Sequence, residues 1–408
     1  MELTNLNGHN VNVYNLEGFT PAIVDEHYLA DLGVSVQPSE ETLAGLKRGS
    51  ELFIQRLESG TVIPRPNLEF AEIDLDTPPE IHNYTGRCPT LTYEINPVRG
   101  CNVGCMYCLV TDGVHEQQLV TYTNYDLYVR KMLEDHLGEQ HYYYFSPKTE
   151  ALQEPTLQTG VAHKILREFI RHYELHPESK ARLFMATKAG DRQLRYEYEG
   201  ESILDLFMQL RDRMQFNTSV SIMPNEFRCL IEPYAATIDE RLAAVRLCQE
   251  NNVMANSALV QPIVVPYLTP EHIQEFFSKL HDNGIINYKP EFLTACMENL
   301  AMLGQLLGYF DKDMERELYD YYIAPENADH KKQRGRTAPN RTSSIDYIQR
   351  MIDVTDPMDM SISICYWVRK QLNISEEMIP IINRNGFQCL GYQSRLFETG
   401  DGSAYNLV

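Results

Sequence analysis

The sequence lacks the features that mark membrane, secreted and repeat proteins. Its 408 residues contain no apolar run near the length of a membrane span, and no positively charged N-terminal segment followed by an apolar stretch. No internal repeat and no low-complexity segment is visible either. We therefore expect a cytoplasmic protein of ordinary globular composition, long enough for an α/β barrel with extensions.

Basic residues are scarce in comparison with acidic ones. There are 36 Lys and Arg residues against 57 Asp and Glu residues, and the formal net charge is -21. The average field of such a surface repels a polyanion, so a nucleic acid is an unfavoured partner. The clearest basic stretch covers residues 330–336 and is continued by Arg341. It indicates either a solvated loop or a contact with a phosphate or carboxylate group of a substrate.

The nine cysteines do not indicate a disulfide framework, because the chain is long and their number is odd. Three of them, Cys101, Cys105 and Cys108, lie in a CxxxCxxC pattern a few residues after a predicted strand. A loop of this length can wrap three thiolates around one corner of an iron–sulfur cubane and leave the fourth iron open for chemistry. Gly100 and Gly104 allow the tight backbone that such a loop needs.

Two other interpretations of these cysteines stay open. They could be buried or incidental cysteines, although chance clustering at this spacing after a strand is rare. They could also belong to a zinc site, but a structural zinc ion requires four protein ligands, and the candidate for the fourth is His115. The pattern therefore favours an iron–sulfur cluster over zinc.

From residue 88 the sequence alternates between predicted strands and predicted helices. The strands cover residues 91–96, 141–145, 181–187, 216–222, 255–263 and 285–288, and the helices cover residues 125–137, 155–173, 203–214, 238–251 and a segment opened by Thr269 and Pro270. This order predicts parallel strands with a ligand site at their carboxyl ends. We predict an α/β fold in which residues 88–292 form a partial (β/α)6 barrel of the TIM type. Residues 1–87 form an N-terminal extension with a helix near 40–57, and residues 293–408 form a mostly helical C-terminal region that covers the active site.

The cysteine motif resembles that of the radical S-adenosylmethionine (SAM) superfamily, including the aromatic Tyr107 before the last cysteine. The resemblance implies a [4Fe-4S] cluster whose open iron binds the amino and carboxylate groups of SAM. It also implies reductive cleavage of SAM to methionine and a 5′-deoxyadenosyl radical, which takes a hydrogen atom from a substrate. A reductase such as flavodoxin or ferredoxin would supply the electron.

Residues 140–266 resemble more specifically the spore photoproduct lyase-like branch of that superfamily. The matching pieces are Ser146-Pro147-Lys148-Thr149-Glu150 with Pro155, Thr187-Lys188, Ser219 and Ser221, Glu232-Pro233, Arg241-Leu242, Pro262 and Pro266. The resemblance implies that Cys101, Cys105 and Cys108 ligate the cluster and that Tyr107 lies against SAM. It further implies that Ser146 and Thr149 lie near the methionine amino group, that Lys188 pairs with the carboxylate and that Ser221 approaches the ribose.

One position departs from the lyase. A hydrogen-donating cysteine precedes the matching serine by two residues there, and Tyr144 stands in its place here. Thymine-dimer repair is therefore not expected, and Tyr144, Cys365 and Cys389 are the candidates for returning a hydrogen atom to a product radical. For each cysteine the alternative is simple packing in the core.

We expect hydrogen-atom abstraction from a small organic substrate, of a natural-product or sugar type. The alternatives are a nucleic-acid repair or modification enzyme like the lyase, and a non-catalytic iron–sulfur protein for electron transfer or sensing.

Overall fold

A computed structural model describes residues 18–58, 67–74, 92–108, 118–139, 141–323, 328–331 and 336–364. The candidate residues His115, Cys365 and Cys389 lie outside these ranges, as does part of the basic stretch 330–336. None of the helices in the described ranges is long and apolar enough to cross a membrane.

The described chain contains thirteen α-helices and fifteen strands. The helices are α1 Glu26–Leu32, α2 Glu40–Glu58, α3 Tyr125–Asp135, α4 Glu154–Gln158, α5 Val161–Leu175, α6 Asp191–Leu194, α7 Ile203–Leu210, α8 Asn225–Ile231, α9 Ile238–Glu250, α10 Pro270–His281, α11 Met297–Phe310, α12 Lys312–Ile323 and α13 Arg341–Thr355. The strands are β1 Asn67–Ala71, β2 Thr92–Ile95, β3 Val98–Arg99, β4 Gln118–Tyr122, β5 Tyr142–Phe145, β6 Arg182–Thr187, β7 Glu197–Tyr198, β8 Glu201–Ser202, β9 Met214–Val220, β10 Ser257–Ile263, β11 Asn287–Phe292, β12 Ala295–Cys296, β13 Ala328–Lys331, β14 Arg336–Pro339 and β15 Ser361–Ile362.

A seven-stranded parallel sheet forms the centre of the fold, in the order β15-β11-β10-β9-β6-β5-β2. The α/β class and the parallel pairing predicted from the sequence are confirmed. The sheet has one strand more than the six predicted, because β15 pairs with β11 from the region predicted to be a helical extension. A strand of two residues is too short for hydrophobic periodicity to reveal it.

The tyrosine run of β5 shows how the sheet separates two apolar layers. Tyr142 and Tyr144 point to one face and join Phe184 and Leu259 in a small buried cluster. Tyr143 points to the other face, where it packs edge-to-face on Phe169 of α5 at 5.4 Å between ring centroids. Successive side chains of a strand alternate between faces, so the run supplies both layers at once.

Several helix boundaries follow the capping signals of the sequence. Thr237 and Glu240 form a capping box at the start of α9, and Thr269 accepts a hydrogen bond from the backbone N–H of His272 at the start of α10. Thr237 and Thr269 thereby satisfy amide groups that have no partner within the helix.

The single helix predicted over residues 155–173 is wrong, since two helices, α4 and α5, occupy this region. Gly160 separates them with φ 69°, a left-handed conformation that a right-handed helix cannot contain. A Cβ atom on Gly160 would also collide with the ring of Tyr198. The tight approach of that ring, which lies 38 residues along the chain, selects glycine here.

The N-terminal helix α2 packs on α11 of the C-terminal region. A Cβ atom at Gly45 would lie 2.6 Å from the Cβ atom of Met297, and one at Gly49 would collide with the backbone of Glu298. The two glycines therefore allow the helix axes to approach closely. The predicted helix at 40–57 is confirmed, and it lies against the segment that directly follows the last long strand of the sheet.

Candidate functional site

A cleft of about 360 Å³ opens at the carboxyl ends of the central strands. Its walls include Cys101, Cys105, Tyr107, Cys108, Tyr144, Ser146, Lys148, Thr149, Glu150, Lys188, Ser219, Gln261, Pro262, Glu291, Phe292, Leu293 and Thr294. Parallel α/β sheets place their ligand sites at this end of the strands, and the volume lies in the range of small-molecule sites. Eight of the residues predicted from the sequence are thus brought together.

The cysteine loop is held in place by backbone contacts with three separate segments. The N–H of Asn102 donates to Gln153 Oε1 at 3.0 Å, and the N–H of Met106 donates to the carbonyl of Ile231 at 2.9 Å. Asn299 Nδ2 donates to the carbonyl of Cys108 at 3.2 Å. Both glycines of the loop have positive φ, 88° at Gly100 and 67° at Gly104, as the tight wrap requires. These contacts and the two glycines together shape the path of the loop.

The three thiols lie half-buried along the wall of the cleft. Burial raises the pKa of the Cys101 thiol to about 12, and burial also raises the pKa of Cys105 well above its ordinary value. The raised pKa values of Cys101 and Cys105 favour their thiol forms unless a cation compensates the thiolate charge. A metal centre supplies such a charge.

Within the described residues, no group of three or more His, Cys, Asp or Glu side chains is arranged to hold a single metal ion. A zinc site needs ligands that converge on one point. In a cubane, by contrast, each thiolate binds a different iron, so the three sulfur atoms stay apart. Three cysteine thiols that line one cleft are the donor type that iron–sulfur clusters use.

A buried chain of polar groups supports Tyr107. The Tyr107 hydroxyl donates to the carboxylate of Glu232, and Glu232 Oε2 lies 2.5 Å from Arg241 Nη2, with both charged side chains fully buried. Arg241 also donates to the carbonyl of Ser219 at 2.8 Å and to that of Ala236 at 2.7 Å. Burial would raise the pKa of Glu232, but the positive charges of Arg241, Lys188 and Arg228 outweigh it and lower that pKa. Glu232 is therefore ionised and accepts a hydrogen bond from the Tyr107 hydroxyl.

Lys188 provides a positive charge beside Cys105. Its Nζ donates to Ser219 Oγ at 3.3 Å, and its backbone N–H donates to Glu150 Oε2 at 2.7 Å. Burial disfavours the ammonium ion, but Cys105 and Glu232 outweigh this effect and raise the pKa of Lys188. The side chain is therefore a cation that faces the cleft and can pair with a carboxylate.

Ser146 and Thr149 lie together directly after β5. Ser146 has φ 52°, a left-handed conformation that is uncommon outside glycine, and its N–H donates to the carbonyl of Ile95 at 2.7 Å. Thr149 Oγ1 donates to Ser146 Oγ at 3.4 Å. Both residues line the cleft, and backbone strain of this kind concentrates at functional sites.

The structure does not bring every predicted residue to the cleft. Ser221 is fully buried, does not line the cleft, and its hydroxyl has no hydrogen-bond partner among the described residues. Ser219, two residues earlier, lines the wall instead, and the role predicted for Ser221 stays a prediction. Tyr144 lines the cleft and packs edge-to-face on Phe184 at 4.7 Å. The roles predicted for Cys365 and Cys389 also stay predictions.

Glu150 was missed as a functional residue by sequence reasoning, although it lies inside the motif. Its carboxylate accepts from the hydroxyl of Thr187 and from the N–H of Lys188, while its own N–H donates to Cys101 Sγ at 3.4 Å. It thus ties the cysteine loop to the end of β6. The signal in the sequence was the position of Glu150 just after a predicted strand, where a carboxylate can accept a hydrogen bond from the backbone N–H of a neighbouring strand end.

The part of the cleft between Lys148 and residues 291–294 carries charges that the sequence did not indicate. Lys148 Nζ lies 2.8 Å from Glu94 Oε2, and Glu291 forms an ion pair with Lys289. Apolar side chains lie on the same walls, contributed by Tyr144, Pro262, Phe292 and Leu293. This part of the cleft therefore combines both signs of charge with apolar surface.

Comparisons with known proteins add a likeness of fold at low identity. No family model matches the chain, and no curated protein matches it. Among solved structures, it is similar to the radical SAM methyltransferase TsrM from Kitasatospora setae, solved with tryptophan substrate and the SAM analogue aza-SAM bound, at 16% identity and a TM-score of 0.36. That match covers 49% of this chain and 35% of TsrM. A second similarity, to methylornithine synthase (PylB), has 9% identity and a TM-score of 0.34 and covers 85% of this chain and 96% of that one. Similarity at these scores does not assign the chain to a family.

Proposed function

We propose that the protein is a radical SAM enzyme that binds a [4Fe-4S] cluster through Cys101, Cys105 and Cys108. The observation that carries the proposal is the meeting of these three thiols with Lys188 and Ser146 in one cleft at the carboxyl ends of a parallel sheet. When bound, the cluster supplies an electron that cleaves SAM, and the resulting 5′-deoxyadenosyl radical removes a hydrogen atom from the substrate.

The residues of the chain have distinct tasks in this proposal. The cysteine thiolates ligate iron, and the Lys188 ammonium pairs with the carboxylate of SAM. Ser146 and Thr149 offer hydroxyl oxygens to its amino group, since a hydroxyl can accept as well as donate. Tyr107, within the cysteine loop, is held by Glu232, and its ring can pack against the cofactor. Walls built from Pro262, Phe292 and other apolar groups reduce the access of water.

We further propose that the protein belongs to the spore photoproduct lyase-like branch and that it acts on a small organic substrate. A net charge of -21 disfavours a nucleic-acid substrate. We propose a flavodoxin or ferredoxin as the electron donor.

The decisive experiment is anaerobic reconstitution with iron and sulfide, followed by dithionite and SAM and detection of 5′-deoxyadenosine by mass spectrometry. We expect product from the wild-type chain and none from the Cys105→Ala variant. The matched control is Cys229→Ala, because Cys229 is also half-buried but lies in α8 and does not line the cleft.

Readouts besides activity separate the competing functions. Iron and sulfide content reports the cluster, and equilibrium dialysis with SAM reports cofactor binding. A loaded cluster that neither binds nor cleaves SAM would refute the proposal in favour of an electron-transfer or sensing protein. Binding of DNA or RNA that weakens steeply with salt would favour the nucleic-acid enzyme.

A further inference from the structure

We propose that the substrate is a small zwitterion with an apolar portion, whose anionic group binds Lys148 and whose cationic group binds Glu291. This inference rests on the proposed function, since it concerns the substrate of the same cleft. It is carried by two ion pairs that each place one partly exposed charge on the cleft walls, and by the apolar residues that line the same cleft.

Lys148 provides the positive end of the subsite. It follows β5, and its partner Glu94 on β2 is buried, with a side chain only 2% exposed. Asn96 Nδ2 donates to the same oxygen of Glu94 at 3.0 Å, so this carboxylate is fixed from two sides. Lys148 itself is 42% exposed and has three N–H donors, of which Glu94 engages one. The ammonium group can therefore hold Glu94 and an incoming anion together.

Glu291 provides the negative end, from β11 at the other side of the sheet. Its partner Lys289 is buried, with a side chain 5% exposed, and contacts Oε1. Glu291 is 49% exposed and lines the cleft, so Oε2 can accept from a ligand. In both pairs the buried partner positions the exposed one. Both exposed ends project from rigid strands or their immediate continuations, an arrangement suited to recognition.

The charge balance of the cleft favours a ligand with both charges. Lys188 is assigned to the carboxylate of SAM, and Glu150 is engaged by Thr187 and by the N–H of Lys188, so the charged side chains left on the walls for a substrate are Lys148 and Glu291, one of each sign. A ligand with one charge would leave an unbalanced charge in a partly desolvated site. An uncharged sugar would desolvate both ion pairs without replacing their lost water contacts. A zwitterion compensates both ends, and Phe292 and Leu293 contact its apolar portion.

Binding of matched probes to the full-length chain tests the inference. The panel consists of the proteinogenic amino acids, their N-acetyl forms as anions, their amide forms as cations, and neutral monosaccharides, measured by saturation-transfer NMR and calorimetry. We expect one or more free amino acids to bind, and their N-acetyl and amide forms to bind about tenfold more weakly, as the loss of one charge-assisted contact predicts.

Variants assign the two ends. Lys148→Met should weaken binding of the amino acid about tenfold but leave the affinity of the amide form, which lacks the anionic group, nearly unchanged. Glu291→Gln should also weaken binding of the amino acid about tenfold but leave the affinity of the N-acetyl form, which lacks the cationic group, nearly unchanged. Lys279→Met and Glu199→Gln are the matched controls, since both residues are paired with opposite charges at 2.7 Å and 2.6 Å and lie outside the cleft. Because Lys148→Met leaves Glu94 buried without its cation, the double variant Glu94→Gln, Lys148→Met tests the same loss without an unpaired charge.

The inference is overturned if no amino acid binds, if a neutral sugar binds more tightly, or if the Lys148 and Glu291 variants retain full affinity. These binding measurements do not depend on SAM cleavage. Formation of 5′-deoxyadenosine without zwitterion binding would therefore refute this inference alone, whereas zwitterion binding without SAM cleavage would refute only the proposed function.

Discussion

The fully buried ion pair between Glu232 and Arg241 allows a sharp test of how the site is held together. The Arg241→Met variant removes the guanidinium group, whose Nη2 lies 2.5 Å from Glu232 Oε2. The Glu232 carboxylate then stays buried without this partner. It also leaves the carbonyls of Ser219 and Ala236 without the contacts at 2.8 Å and 2.7 Å. Removing one partner of a buried pair costs about 3–5 kcal/mol of the free energy of unfolding.

The double variant Glu232→Gln, Arg241→Met removes the unpaired charge but not the two unsatisfied carbonyl groups. We therefore expect it to recover part of the loss and to be about 1–3 kcal/mol more stable than Arg241→Met alone. The control is Arg167→Met, because Arg167 also contacts two carboxylates, at 2.6 Å and 2.8 Å, but on the surface. Exposed pairs contribute about 0–1 kcal/mol, so this variant should change stability little.

The assay is urea denaturation of the cluster-free chain, followed by circular dichroism, with iron incorporation measured in parallel. We expect Arg241→Met to lower the denaturation midpoint and also the iron content after reconstitution, because Glu232 holds the cysteine loop through Tyr107. Equal stability of the Arg241→Met and Arg167→Met variants, or a double variant less stable than Arg241→Met, would refute the reasoning.

Three further predictions concern other parts of the structure. Lys188→Met should leave iron content unchanged but weaken SAM binding about tenfold in equilibrium dialysis, and unchanged affinity would remove Lys188 from the cofactor site. Gly160→Ala should lower the free energy of unfolding by about 1–3 kcal/mol, because φ is 69° and the new methyl group meets the ring of Tyr198; a thermal melt indistinguishable from wild type would contradict this. Burial lowers the pKa values of His163 and His172, so both side chains are neutral in the folded protein near pH 7. The stability that they contribute is therefore present above about pH 6.5 and is lost as the pH falls through their folded-state pKa values. Urea midpoints between pH 7.5 and 5.5 should therefore fall on acidification, less steeply in the His163→Gln variant than in wild type.

The cysteine spacing and the caps were visible in the sequence because they depend on neighbours along the chain. The spacing of Cys101, Cys105 and Cys108 and the two glycines of their loop all lie within nine consecutive residues. The capping box at Thr237 likewise needs a partner three residues away. The alternation of strands and helices indicated the parallel sheet, since each strand of that sheet must be followed by a crossover. These local signals determined the α/β class and the position of the motif at the strand ends.

Long-range contacts were decided only by the tertiary structure. The break at Gly160 depends on the ring of Tyr198, and the seventh strand Ser361–Ile362 exists because β11 offers it an unpaired edge. The pairs Glu232–Arg241 and Lys148–Glu94 join residues from different elements, so no local pattern reveals that they meet. The sequence by itself therefore determined the α/β class and which cysteines could be proposed as cluster ligands. Folding decided which charges surround those cysteines, because the field in a cleft is the sum over residues that only the tertiary structure brings together.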